Sequence, residues 1–148
     1  MSCLETFATL RILSPTLAPA QIGAALGLEP TRVVALDPSS RYRPRREHHF
    51  WAWSSEGRVD SLDGLVHVRA VLDLLQGREQ ALAELRQAGC ALDVSCYWVS
   101  SGQGGPALDL DAMTRLAALG LEIWWDVYFG EEREDEAVHP AAGAGTQG

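Results

Sequence analysis

Between Arg41 and Arg46 the chain places four arginines around Tyr42 and Pro44, and the run His48, His49, Phe50, Trp51, Ala52, Trp53 follows almost at once. A guanidinium is a planar fork of donors that grips carboxylates and phosphates, and aromatic rings supply anchoring area at interfaces. Arg41, Arg43, Arg45, Arg46, His49, Trp51 and Trp53 are therefore the candidate binding residues. The plainer alternative is a solvated loop beside core tryptophans, because large aromatics are mostly buried. A second constellation pairs Arg11 with Asp126. Both lie on alternating, strand-like segments, and a partly buried carboxylate needs a cationic or hydrogen-bonded partner. An ion pair between them is expected, with Asp126 on the strand face that carries Trp124 and Tyr128.

Other chemistries lack their residue patterns. His48 and His49 are adjacent, so on a strand they point to opposite faces and cannot share a metal without distortion. His67 falls in a helical pattern and His139 in the terminal segment, and no ligand spacing links them to Cys or carboxylates. No metal and no cofactor is expected. A Gly-x-Ser-x-Gly elbow, a Walker loop and a His-Glu-x-x-His helix are all missing from the sequence. The glycine-rich stretch from Ser100 to Gly105 has no lysine to reach a phosphate and reads as a connection. Asp109 and Asp111 precede an apolar helical pattern and read as caps. Catalytic residues are thus not assigned, and the reading leans away from an enzyme.

Charge narrows the partners. The net charge is −8, and Glu131, Glu132, Glu134, Asp135 and Glu136 against Arg133 account for half of it. Nucleic acid, which requires a basic face, is not expected as a partner; a basic protein is. No apolar run approaches a membrane span, and the first residues lack the order of a secretory signal, so no membrane contact and a cytosolic location are expected. Cys3, Cys90 and Cys96 are an odd number without Cys-x-x-Cys spacing and read as reduced, buried thiols.

These residues need elements to position them. Alternation predicts a first strand over Phe7 to Leu13, with Ala8, Leu10 and Ile12 inward. Further strands are expected near Val33 to Leu36, His48 to Trp53, Leu92 to Ser100 and Ile123 to Phe129. Helical spacing appears after Pro19, from Leu62 to Leu85 with a break at Gly77, and around Met113, Leu116 and Leu119. The peptide Ala-Leu-Gly-Leu-Glu occurs at 25–29 and again at 118–122, each time where a helix should stop. The elements spell an α+β fold: a ferredoxin-like two-layer sandwich, mainly antiparallel, with helices on one face, and the repeated peptide suggests duplicated strand-helix-strand halves. Residues 1–130 form the single domain, and 131–148 are expected to be a disordered acidic tail rich in Gly and Ala.

The segment Leu26-Gly27-Leu28-Glu29-Pro30-Thr31-Arg32, the aromatic strand at Trp51 and Trp53, the long central helix and the closing Asp126-Val127-Tyr128 resemble the bacterial family called domain of unknown function 4279. The resemblance spans roughly Phe7 to Phe129 and implies the extent of the folded body; it carries no activity, cofactor or site. An arginine-rich central loop stands where the family pattern suggests a lysine-glycine turn. The functional expectation is a non-enzymatic protein-binding module, of a kind that includes partner-neutralising immunity proteins. The alternative is a small-molecule sensor or enzyme with a pocket between helices and sheet.

Overall fold

The computed structural model describes residues 3–130. In chain order the elements are β1 (Cys3–Ser14), α1 (Pro19–Leu26), β2 (Arg32–Val34), α2 (Arg43–Glu47) and β3 (His49–Ser54). They continue with α3 (Gly64–Leu74), α4 (Glu79–Gln87), β4 (Ala91–Ser100), α5 (Leu110–Leu119) and β5 (Glu122–Phe129). The expected acidic tail, 131–148, lies outside the described residues.

β1 becomes the central strand because it is both long and alternating: every second residue from Thr6 to Ser14 is buried and those between are half-buried. It pairs antiparallel with β3 on one side and β4 on the other, which gives the order β2-β3-β1-β4-β5. Three of the four strand pairings are antiparallel, as expected, and the fourth makes the sheet mixed. β5 runs parallel to β4 because α5 crosses over between them and returns the chain in the same direction.

The core lies between one sheet face and helices α1, α3, α4 and α5. Leu10, Ile12, Trp51 and Val94 meet Ile22, Val68, Leu72, Leu82 and Leu116 there. A fully buried Leu or Ile of this kind contributes about 1.5–3 kcal/mol by removal from water. Asp63 caps α3 by accepting from the Leu65 N–H at 3.0 Å, and Asp109 caps α5 through the Ala112 N–H at 2.8 Å.

The repeated peptide marks two identical helix stops. Gly27 and Gly120 both take the left-handed conformation (φ 68° and 69°), and the leucine after each donates back into the last helical turn, to Gly23 and Leu116. The surroundings differ. After Gly27 the chain enters β2, two positions from β1, whereas after Gly120 it enters β5 beside β4.

Candidate binding face of the sheet

Strand parity decides what each residue can do. On β3 the odd residues turn toward the helices: Trp51 is fully buried in the core and Trp53 packs against it. His49 accepts a hydrogen bond from the Leu36 N–H at 3.0 Å, which ties the chain after β2 to β3. Phe50, Ala52 and Ser54 point the other way, onto a sheet face that the four longer helices leave uncovered.

Register assembles that face. One transverse row runs Arg32, Ala52, Arg11, Asp93, Glu122 across all five strands, so positive charge sits at the β2 side and negative charge at the β5 side. Arg11 and Asp93 form a two-pronged pair, Nε to Oδ1 at 2.8 Å and Nη2 to Oδ2 at 2.9 Å. Toward the start of β1 the rings collect. Phe7 stacks on its cross-strand partner Tyr97 with centroids 4.7 Å apart, and Tyr97 meets Tyr128 at 5.3 Å. Between the rings and the charged row, Thr9, Ser54 and Ser95 leave a shallow trough of about 520 Å³. Tyr128 donates to Asp126, and that hydrogen bond, followed by the carboxylate's charge, holds the phenol above its ordinary value.

At the other end of the face lies a cleft of about 370 Å³ between the sheet and the α2 segment. Arg11, Arg32, Leu13 and Phe50 form its floor, and Tyr42, Pro44, Arg45 and His48 its wall. The Arg32 guanidinium lies 5.8 Å from the Phe50 ring centroid.

Residues 4–130 match the model of a family described as Domain of unknown function (DUF4279). The chain belongs to that family. No curated protein and no solved structure matches it. The DUF4279 match takes in all five strands but for Cys3 at the start of β1, and with them both the aromatic end and the cleft end of the uncovered face.

The DUF4279 chain distributes the expected site residues unevenly. Of the four loop arginines, Arg45 lines the cleft. Arg43 pairs with Glu47 one helical turn on, and Arg46 donates to the Ser40 and Arg41 carbonyls, so both serve α2 itself. Arg41 is exposed, and Trp51 and Trp53 are core residues. The expected Arg11–Asp126 pair is replaced by Arg11–Asp93. Asp93 stands directly opposite Arg11 in the β1–β4 register, while Asp126 is one strand farther away, opposite Tyr97, and exposed.

Sequence reasoning passed over Phe7, Phe50, Tyr97, Arg32 and Asp93. For Phe7, Tyr97 and Asp93 the available signal was parity: each alternates with residues already read as the inward face of β1 or β4.

One buried pair looks like chemistry and is architecture. Ser55 Oγ lies 2.6 Å from His67 Nδ1, and His67 Nε2 lies 2.8 Å from the Ser61 carbonyl. The geometry fixes the tautomer: Nε2–H donates to the carbonyl, the serine hydroxyl donates to Nδ1, and the Ala8 N–H donates to the hydroxyl at 3.0 Å. Each of these contacts is satisfied and both side chains are closed to solvent, so the pair locks the 55–61 turn and α3 onto β1. Among the described residues no three His, Cys, Asp or Glu side chains converge to hold a metal, and no helix is long and apolar enough to cross a membrane.

Proposed function

We propose that this chain is a binding protein that receives a protein partner on the uncovered face of its sheet. The observation that carries the reading is the collection of Phe7, Phe50, Tyr97, Trp124 and Tyr128, with Arg11 and Arg32, on a face that the core does not use. Aromatic residues and arginine are the types enriched in the anchoring centres of protein interfaces. The aromatic surface continues around β5, where Trp124 is 59% and Phe129 83% exposed.

The charged row gives the partner a polarity. A complementary surface presents acid toward Arg32 and base toward Glu122 and Asp126, which steers encounter and fixes orientation. A basic partner, inferred from net charge alone, thus becomes a partner with a basic region over β5. Masking of a partner's working surface, as an immunity protein does, is one form of this activity. The same reading takes β1-α1-β2-β3-α3-β4 as a ferredoxin-like unit extended by α5 and β5, supported by the strand order β2-β3-β1-β4. It places the protein in the cytosol, consistent with three free, buried thiols.

The test is affinity capture from the cell of origin with three baits: the native chain, a Phe7→Ala/Tyr97→Ala/Trp124→Ala variant, and a control carrying Leu110→Ala at an exposed position of α5. A protein held by the native chain and the control and released by the triple variant is the expected result. A partner held equally by all three baits, or none held by the native chain, overturns the proposal.

A further inference from the structure

We infer that the cleft beside α2 is a binding site for a small carboxylate carrying an apolar, planar body. Its composition sets it apart from the rest of the molecule. In a chain of net charge −8, three of the twelve arginines line this one cleft, and no Asp or Glu does. Arg11 is neutralised by Asp93, but neither Arg32 nor Arg45 has an ion-pair partner among the described residues. Asp37 feels the charge of Arg45 without pairing with it. Its carboxyl is held below the usual range first by the Ser39 hydroxyl, then by the Ser39 N–H, and only weakly by Arg45's charge. Two uncommitted guanidinium groups at one concave site raise the local concentration of anions.

The rest of the lining argues for a carboxylate with a body rather than a bare anion. Phe50, Leu13, Val34 and Pro44 make most of the cleft lining apolar. The volume of about 370 Å³ lies at the small end of the range for organic ligands and exceeds what an inorganic ion fills. Arg32 lies over the Phe50 ring, so a carboxylate seated on its fork brings the attached ring or chain against that apolar lining. His48 also lines the cleft, and its Nδ1 is buried with no hydrogen-bond partner. An unmet polar atom of that kind is uncommon in a closed structure, and a ligand that turns the ring would satisfy it.

The inference goes beyond partner docking and is tested apart from it. The intact protein is titrated at low ionic strength with sodium benzoate while NMR follows the Arg32 and Arg45 Nε–H signals and the amides of residues 42–50. Benzamide serves as the uncharged isostere and inorganic phosphate as the bodiless anion. The expected result is saturable movement confined to the cleft, with a dissociation constant of about 1 mM or tighter for a ligand of this size. Benzamide and phosphate should each bind at least about tenfold more weakly, and Arg32→Gln and Arg45→Gln should each weaken benzoate by about tenfold. Both arginines are exposed, so these variants should retain the fold, and unchanged amide spectra away from the cleft would verify it. No saturable movement, equal binding of benzamide or phosphate, or indifference to both substitutions overturns the inference. The Phe7/Tyr97/Trp124 variant leaves the cleft lining intact and should bind benzoate normally, so failure here and failure of partner docking are read separately.

Discussion

On β1 and β4 a single backbone feeds two surfaces. Ala8, Leu10, Ile12, Val94 and Cys96 go to the helices, while Phe7, Thr9, Arg11, Ser95 and Tyr97 go to the other side. The helix side of these two strands is closed, and its members join one apolar cluster with residues of α1, α3, α4 and α5. The other side mixes rings with charges, and its residues are half-buried by each other rather than by a second layer. If the second face existed only to be wet, short polar side chains would suffice on an antiparallel sheet. Stacked rings and a charge gradient go beyond that requirement, which is the ground for the binding role proposed above.

That contrast is sharpest in the cost of losing an aromatic. Trp51→Ala empties a fully buried site and should destabilise the protein by about 3–5 kcal/mol in chemical denaturation. Tyr97→Ala, which removes a half-buried ring stacked on Phe7, should cost only about 1–1.5 kcal/mol. Equal costs would mean that the uncovered face is a second core, and the division proposed here would collapse.

Next in size is the buried Ser55–His67 link. His67→Ala leaves the serine hydroxyl without its acceptor and the Ser61 carbonyl without its donor, a loss of about 2–3 kcal/mol. Ser55→Ala attacks the same bond from its other end and also orphans the Ala8 N–H. The two losses should therefore fall well short of additive in a double-mutant cycle. Full additivity would show that the two residues act separately.

Cys96 offers a smaller, pH-dependent probe of the closed side. Burial pushes its thiol from 9.0 up to about 11, with the Thr6 hydroxyl pulling weakly the other way. The raised value belongs to the folded state, so the contribution is whole below pH 9 and is lost as pH rises through about 11. The unfolded chain releases its proton first. The gap sets a ceiling of about 3 kcal/mol, and relaxation around the thiolate should bring the change nearer 1–2. Cys96→Ala should flatten the decline between pH 9 and 11, and native Cys96 should resist alkylation at pH 8 while reacting in denaturant.

How far these features were legible from sequence depends on range. Alternation located β1 and β4 and sorted Leu10 from Arg11 correctly, because a side chain's face is a local property of a strand. It read the inward parity of β5 equally well, yet Trp125, Val127 and Phe129 are exposed, since parity does not say whether anything covers a face. α2 went unread for a different reason. Arg43 to Glu47 is barely one turn and has no apolar periodicity, and its helix rests on Pro44 in the first turn and the Arg43–Glu47 pair. The partner of Arg11 was beyond local reasoning altogether, because Asp93 and Asp126 become distinguishable only once β4 is known to lie between β1 and β5. The tryptophans of β3 were assigned to binding by residue type, and the register reversed that by placing Phe50 outward instead.

The smallest effect tests whether charge on the uncovered face serves the fold or the cleft. Asp93→Asn removes the carboxylate opposite Arg11 but keeps the shape of the side chain. The pair's side chains are 38% and 24% exposed, so water screens much of their attraction, and the loss in stability should be no more than about 1 kcal/mol. Arg11 is then left without its counter-charge on the floor of the cleft. The positive field there grows, and benzoate should bind about twofold to fivefold more tightly, with the gain fading as salt is added. Stability and affinity move in opposite directions only if Asp93 is there to moderate the cleft. A large loss of stability with no gain in affinity would make the Arg11–Asp93 pair part of the fold's scaffold, and the charged row would then belong with the closed face.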